Sequence, residues 1–312
     1  MDEDGLLALI VPRLPRGRDT VLGPGDDAAI VAAPDGRVVV STDVLVEGRH
    51  FRRRWSSGAD VGYRAAMQNL ADVAAMGARP TALVVALTCP ADVAPEWLAD
   101  LADGMAQACG EVGVVGGDLS TGTELSVAVT VLGDLAGRPP VLRSGAQVGD
   151  VVAHAGVRGR SAAGHALLDA GLDGFDELVA AYRRPVAPLG AGIAASRAGA
   201  TAMLDVSDGL LRDALRIARA SGVVLDLDPP TAAFADDLAV LAPAAEALAA
   251  DAETWVLAGG EDHGLLATFP PHTELPAPFR AVGRVVAGEP GVRVAGAAPR
   301  GPLGWDHFAG RD

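Results

Sequence analysis

Apolar positions fall in short blocks along the chain, set apart by bends rich in Gly and Pro. Strand-like runs, either continuous or of period two, cover residues 38–41, 82–88, 112–115 and 125–132. Two stretches between them carry helical spacing, residues 60–76 and 95–109. Asp60 reads as the N-cap of the first and Gly77 as its stop, while Pro95 opens the second. The segment GDLAGRPPVLRSGAQVGD has no periodicity, which places a domain boundary near Val141 and predicts domains over residues 1–141 and 142–312. Beyond it the pattern restarts. A strand at 151–155 leads through the turn GVRGRSAAG into a helix ending near Ala170. A helix at 208–220, a strand at 223–228, an Ala-rich helix at 243–250 and strands at 265–269, 279–286 and 292–295 follow. Strands alternating with helices in both halves predict two α/β or α+β domains.

Composition narrows the function. With 312 residues, half of them apolar, the chain is long enough for two ordinary cores. A net charge of −15 argues against nucleic acid as a partner, because backbone phosphates need a basic face. It leaves room for a small phosphate compound carried by a cation. All 25 basic residues are Arg. Without lysine there is no Schiff base, no GxxxxGK[ST] loop, no protein-kinase lysine and no Ser–Lys hydrolase. Cys89 and Cys109 form no CxxC and read as buried thiols of a reducing compartment. The start MDEDG does not resemble a signal peptide, and no apolar run approaches the roughly 18 residues of a membrane span. The expectation is a cytoplasmic protein with no membrane partner.

The acids are unevenly placed. GPGDD, VVVSTDVLVEG, MQNLADVAAMG, VVGGDLSTG, MLDVSDGLL and LAGGEDHGLL each set a carboxylate among Gly, Ser, Thr and apolar neighbours. At roughly 4 Å and an effective dielectric near 20, two adjacent charges such as Asp26 and Asp27 repel by about 4 kcal/mol. Several of them alone have an ordinary reading: Asp72 as the cap of a loop, Asp43 as a turn residue after a strand, Ser207 or Asp208 as an N-cap; Asp118 ends an apolar strand after two glycines that let a ligand approach the backbone. Together they point to hard cations, Mg²⁺ or Mn²⁺ and not Zn²⁺, since they come without cysteine or clustered histidine. Several such cations imply a polyanionic substrate, most often a nucleotide. Asp27 then faces the cation, and Asp26 is either a second ligand or, as the favoured reading, the cap of its turn.

GPGDDAAIV, STDVLVEGRHF, NLADVAAMGARP, GGDLSTG, RSGA, DVSDGL, GGED and GWDHF, in this order over nearly the whole chain, resemble thiamine-monophosphate kinase. That family sits in the ATP-binding superfamily of aminoimidazole ribonucleotide synthetase, selenophosphate synthetase and the hydrogenase-maturation dehydratase. The resemblance implies the two-domain aminoimidazole ribonucleotide synthetase-like fold. It also implies a homodimer formed by the N-terminal domains, and transfer of phosphate from ATP to thiamine monophosphate. It implies Mg²⁺ ligation by Asp27, Asp43, Asp72, Asp118, Asp205 and Asp208, helped by Ser41 or Thr42. Gly117, Asp118, Arg143 and Ser207 would contact ATP, and His50, Glu261 and Trp305 thiamine monophosphate. No general base is expected, because an acceptor phosphate monoester with a second pKa near 6 is already an anion at neutral pH. His263 and Gly264 depart from the family, which commonly has a tyrosine-type residue after GGED. Two alternatives stand beside this reading: another member of the superfamily, such as an aminoimidazole ribonucleotide synthetase, or a non-catalytic protein that binds Mg²⁺ and nucleotide.

Overall fold

Helix formation in the first half begins at Ser57, whose backbone N–H and hydroxyl both meet Asp60 Oδ2 at 3.0 and 2.8 Å. Asp60 is therefore not the N-cap that its position suggests. It answers Ser57 from inside the first turn, in the reciprocal manner of a capping box. The computed structural model describes residues 3–24 and 28–306. The chain divides into two compact units, one up to Val73 with Ala78–Arg138, the other Ala74–Gly77 with the chain from Pro139 onward.

The first unit holds α1 (Glu3–Ile10), a small ribbon of β1 (Thr20–Leu22) and β2 (Ile30–Val31), then β3 (Val39–Val46), α2 (Gly58–Ala75), β4 (Arg79–Cys89), α3 (Pro95–Cys109), β5 (Gly113–Thr121) and β6 (Ser126–Asp134). Its four-stranded sheet has the order β3-β6-β4-β5, antiparallel except for β4 with β5. Buried Val127, Val129 and Val131 line one face of β6. Helices α2 and α3 cross at glycine: a Cβ on Gly104 would meet the Ala59 carbonyl oxygen at 1.9 Å. The opposite face of the sheet is open, with Val40 62 %, Val44 45 % and Val84 39 % exposed.

The strands run further than the apolar blocks. Asp43 lies inside β3 opposite Val129, and Asp118 inside β5 opposite Ala86. Neither ends its strand, contrary to the sequence pattern. Both are on the two edge strands of the sheet, where one partner's ladder suffices to extend a polar or Gly-rich segment.

The second unit contains β7 (Val151–Ala155), α4 (Arg160–Ala170), α5 (Asp176–Arg183), α6 (Leu189–Arg197), β8 (Ala202–Val206), α7 (Leu210–Ser221), β9 (Val224–Leu227), α8 (Pro230–Ala233), α9 (Ala235–Leu248), α10 (Ala252–Ala258), β10 (Gly264–Phe269), β11 (Arg280–Val286) and β12 (Gly291–Val294). Its sheet order is β12-β9-β11-β7-β10-β8, with only β12 and β9 parallel. One core, including Val152, Leu204, Ile217, Leu241 and Leu266, packs on one side of this sheet. Another, including Ala153, Ala191, Met203 and Phe269, packs on the other. Pro243 does not open a helix but sits inside α9, whose first turn carries Asp236 and Asp237 and whose Leu241, Ala244 and Ala245 are buried. Packing of that apolar stripe outweighs the hydrogen bond a proline removes. The architecture is mixed α and β, the fold class read from the sequence.

Candidate active site

In the first unit, α2 presents Asn69 and Asp72 one turn apart toward β3. Ser41 Oγ donates to Asp72 Oδ2 at 2.6 Å, and the Asp43 N–H donates to Asn69 Oδ1 at 3.1 Å. Ser41, Asp43 and Asp72 thus share the helix-covered side of the sheet. Thr42 does not join them. Its hydroxyl donates to the Val129 carbonyl and accepts from Thr130, on the other face.

Asp118 is also on that other face. The rung Val44–Ala128–Ala86–Asp118 runs straight across four strands, next to the rung Asp43–Val129–Val85–Gly117. Successive residues of a strand point to opposite faces. Asp43 and Asp118 therefore stand on opposite sides of one sheet. The Ser120 hydroxyl donates to Asp118 Oδ2 at 2.7 Å, as two residues on one face can. Asp26 and Asp27 lie outside the described residues. Among the described residues no three His, Cys, Asp or Glu side chains gather closely enough to hold an ion unaided.

His50 follows β3 in a turn whose own backbone orients the ring. The Val46 N–H donates to His50 Nδ1 at 3.0 Å, so in the neutral ring the proton resides on Nε2. Nε2–H is then a donor for an anion.

In the second unit three separate motifs meet at one turn. The Glu261 N–H donates to the Ser207 carbonyl and the Trp305 N–H to the Asp208 carbonyl, each at 2.8 Å. DVSDG, GGED and GWD are thereby pinned together, bringing Asp205, Ser207, Asp208, Glu261 and Trp305 into one neighbourhood. Close approach dictates the glycines: a Cβ on Gly260 would fall 2.4 Å from the Ser207 carbonyl oxygen, and one on Gly209 (φ +127°) 2.6 Å from that of Ala258. Asp205, next to last in β8, is buried, with its Oδ2 3.4 Å from His263 Nδ1. Trp305 is 59 % exposed. Arg143 is exposed, and its carbonyl accepts from Ser221 Oγ.

Neither Ser207 nor Asp208 caps α7, as their place before a helix suggests. The N-cap is Gly209, and Asp213 does the work from within the helix. Its fully buried carboxylate accepts from the backbone N–H groups of Asp208 and Gly209 at 3.0 and 3.2 Å. Burial pushes the Asp213 carboxyl up to about 6, against the pull of Arg216. Arg216 also pairs with Asp208, so Asp208 has a counter-charge from the protein itself. Sequence reading missed Asp213; the available signal was a carboxylate four residues after a glycine that opens a helix.

This fold is that of the AIR synthase-related proteins, whose N-terminal domain model matches residues 25–135. The chain is 50 % identical to the thiamine-monophosphate kinase of Mycobacterium tuberculosis over 309 residues, covering 97 % of this chain and 92 % of that one. It is 44 % identical to the thiamine-monophosphate kinase of Corynebacterium glutamicum over 271 residues, covering 84 % and 80 %. A solved structure described as AaThiL complexed with AMPPCP and TMP superimposes with a TM-score of 0.79 at 31 % identity, covering 98 % of this chain and 97 % of that one. The chain belongs to the thiamine-monophosphate kinase family. The resemblance carried by its eight motifs is borne out.

Proposed function

We infer that the chain transfers the γ-phosphoryl group of ATP to thiamine monophosphate, forming ADP and thiamine diphosphate. The observation carrying this is the pair of backbone hydrogen bonds, Glu261 to Ser207 and Trp305 to Asp208, that draws the acceptor-type and nucleotide-type motifs to one turn. The transfer is direct. An acceptor phosphate monoester is already largely dianionic at neutral pH, so no side chain has to remove a proton. Repulsion between that anion and the triphosphate is then the main barrier.

The donor set suits a hard cation. Ser41, Asp43 and Asp72 offer oxygen alone, and their arrangement on one side of the sheet leaves carboxylates there whose charge a divalent ion would offset. When bound, Mg²⁺ supplies neutralisation of phosphate charge and a template for alignment. Asp27, Asp205 and Asp208 are the further Mg²⁺ ligands we propose, with Asp208 exchanging its Arg216 pairing for the ion. Thr42 and Asp118, on the open face, enter it from a second copy of the chain. We propose that two copies pair through their N-terminal domains, as the resemblance implies. Gly117, Asp118, Arg143 and Ser207 contact ATP. His50 Nε2–H donates to the acceptor phosphate, Glu261 holds the acceptor and Trp305 stacks on its cationic ring. We place the protein in the cytoplasm, where its two free thiols stay reduced.

The test is turnover. Incubated with Mg²⁺, ATP and thiamine monophosphate, the protein is expected to produce thiamine diphosphate, and chelation to abolish it. Binding of nucleotide without product would support the non-catalytic alternative. Label from γ-labelled ATP retained on the denatured protein would replace direct transfer with a phosphoenzyme.

A further inference from the structure

We propose that Arg158 and Asp262 are positioning residues for the acceptor site: their buried pair locks the GGED loop to the start of α4 and so aims the Glu261 carboxylate. The proposal rests on the reading of Glu261 as an acceptor contact. Arg158 is 0 % exposed and heads the largest fully buried side chains. Its Nε and Nη2 donate to the Val256 carbonyl, each at 3.2 Å, and Nη2 also to the Gly259 carbonyl. Its Nη1 lies 3.4 Å from Asp262 Oδ2. The Asp262 carboxylate accepts from the Gly159 N–H at 2.6 Å and the Ser161 N–H at 2.8 Å, at the N-terminus of α4.

The backbone contacts of this pair thus run to two stretches: the end of α10 with the loop after it, at Val256 and Gly259, and the strand-to-helix turn at Gly159 and Ser161. The loop needs such support. Glu261 (φ +69°) and His263 (φ +53°) both adopt left-handed backbone, which is unfavourable for a non-glycine residue. Asp262, between them, turns inward to its anchor. Glu261 turns outward, with its side chain 36 % exposed. A buried ion pair is commonly no better for stability than an apolar pair of the same volume. Orientation of the loop is what this one supplies.

The experiment compares Asp262→Asn, the neutral double variant Arg158→Gln with Asp262→Asn, Glu261→Gln, and Glu261→Gln combined with Asp262→Asn. Steady-state KM is measured for thiamine monophosphate and for ATP. We expect Asp262→Asn to raise KM for thiamine monophosphate at least tenfold and to leave KM for ATP within twofold. In the Glu261→Gln background it should add no further rise, because both changes act through one carboxylate. Equal rises in both KM values, or a multiplicative rise in the combined variant, would overturn the proposal. Should Glu261→Gln leave KM for thiamine monophosphate unchanged, the reading of Glu261 itself fails, a separate result. If Asp262→Asn does not fold, the neutral double variant decides by the same split. Amide exchange in the unaltered protein is an independent check: Gly159 and Ser161 should exchange as slowly as core strands, and rapid exchange there overturns the lock.

Discussion

Asp43 and Asp118 occupy adjacent rungs of one four-stranded sheet and point to opposite faces of it. Within a single copy the sheet itself stands between them. A site that uses both must draw on two copies, which can be checked by complementation. Asp43→Asn and Asp118→Asn are each expected to be inactive alone. Co-refolded in equal amounts, they should regain about a quarter of normal activity, since half of the dimers are mixed and one of two sites in each is intact. No recovery would mean that Asp118 serves its own chain or serves no site.

Asp72 accepts a hydrogen bond from Ser41 on the helix-covered side of the sheet. Removing the carboxylate relieves charge that the proposed ion would offset, while removing the ion's ligand. Asp72→Ala is expected to leave thermal stability equal or higher and to lower kcat by roughly a hundredfold, a stability–activity exchange. A loss of stability matching the loss of activity would make Asp72 a structural residue.

Trp305 is exposed, although its N–H is fixed to the Asp208 carbonyl. A ring held by its backbone and open on its face suits a cationic heterocycle, worth roughly 1 to 2 kcal/mol when desolvated. Trp305→Ala should therefore raise KM for thiamine monophosphate about 5- to 30-fold, with KM for ATP little changed. Equal changes in both would remove Trp305 from the acceptor site.

Burial pushes the Cys109 thiol up to about 12, and burial likewise raises Cys89. Native protein at pH 8 is expected to react with a thiol reagent far more slowly than protein in denaturant, which should release two thiols. The sign of the linked stability follows. The folded state holds the Cys109 proton more tightly, so its contribution is complete below the unfolded pKa near 8.5 and falls by up to about 1.4 kcal/mol per pH unit as pH rises toward 12. Chemical denaturation between pH 8 and pH 10.5 measures the loss; Cys109→Ala should flatten it.

Local pattern served best where an element is defined by its own neighbours. Helix α3 begins at Pro95 and ends at Cys109 as its spacing predicts, because a proline start and an apolar stripe are properties of the segment alone. The strands at β7 and β10 were legible for the same reason. β3 and β5 were cut short, since their polar and glycine residues are extended by a neighbouring strand that a local window does not contain. Asp208 and Pro243 were misread because each role depends on a partner further along the chain or on packing across it, whereas Asp60 has a local partner, Ser57, and is displaced from the cap by only three residues.

By itself the sequence determined the chemistry on offer: oxygen ligands, arginine without lysine, no evident base, and eight motifs in a fixed order that mark the family. It did so because donor type and local spacing are written in residue identity. Only the tertiary structure decided which acids face which way, that Asp118 opposes Asp43 and that Asp262 turns away from the site its motif suggests. Those outcomes come from sheet register and from hydrogen bonds between residues up to about a hundred positions apart. Such pairings are set by where backbone donors find acceptors once the core has closed, and no local pattern specifies them.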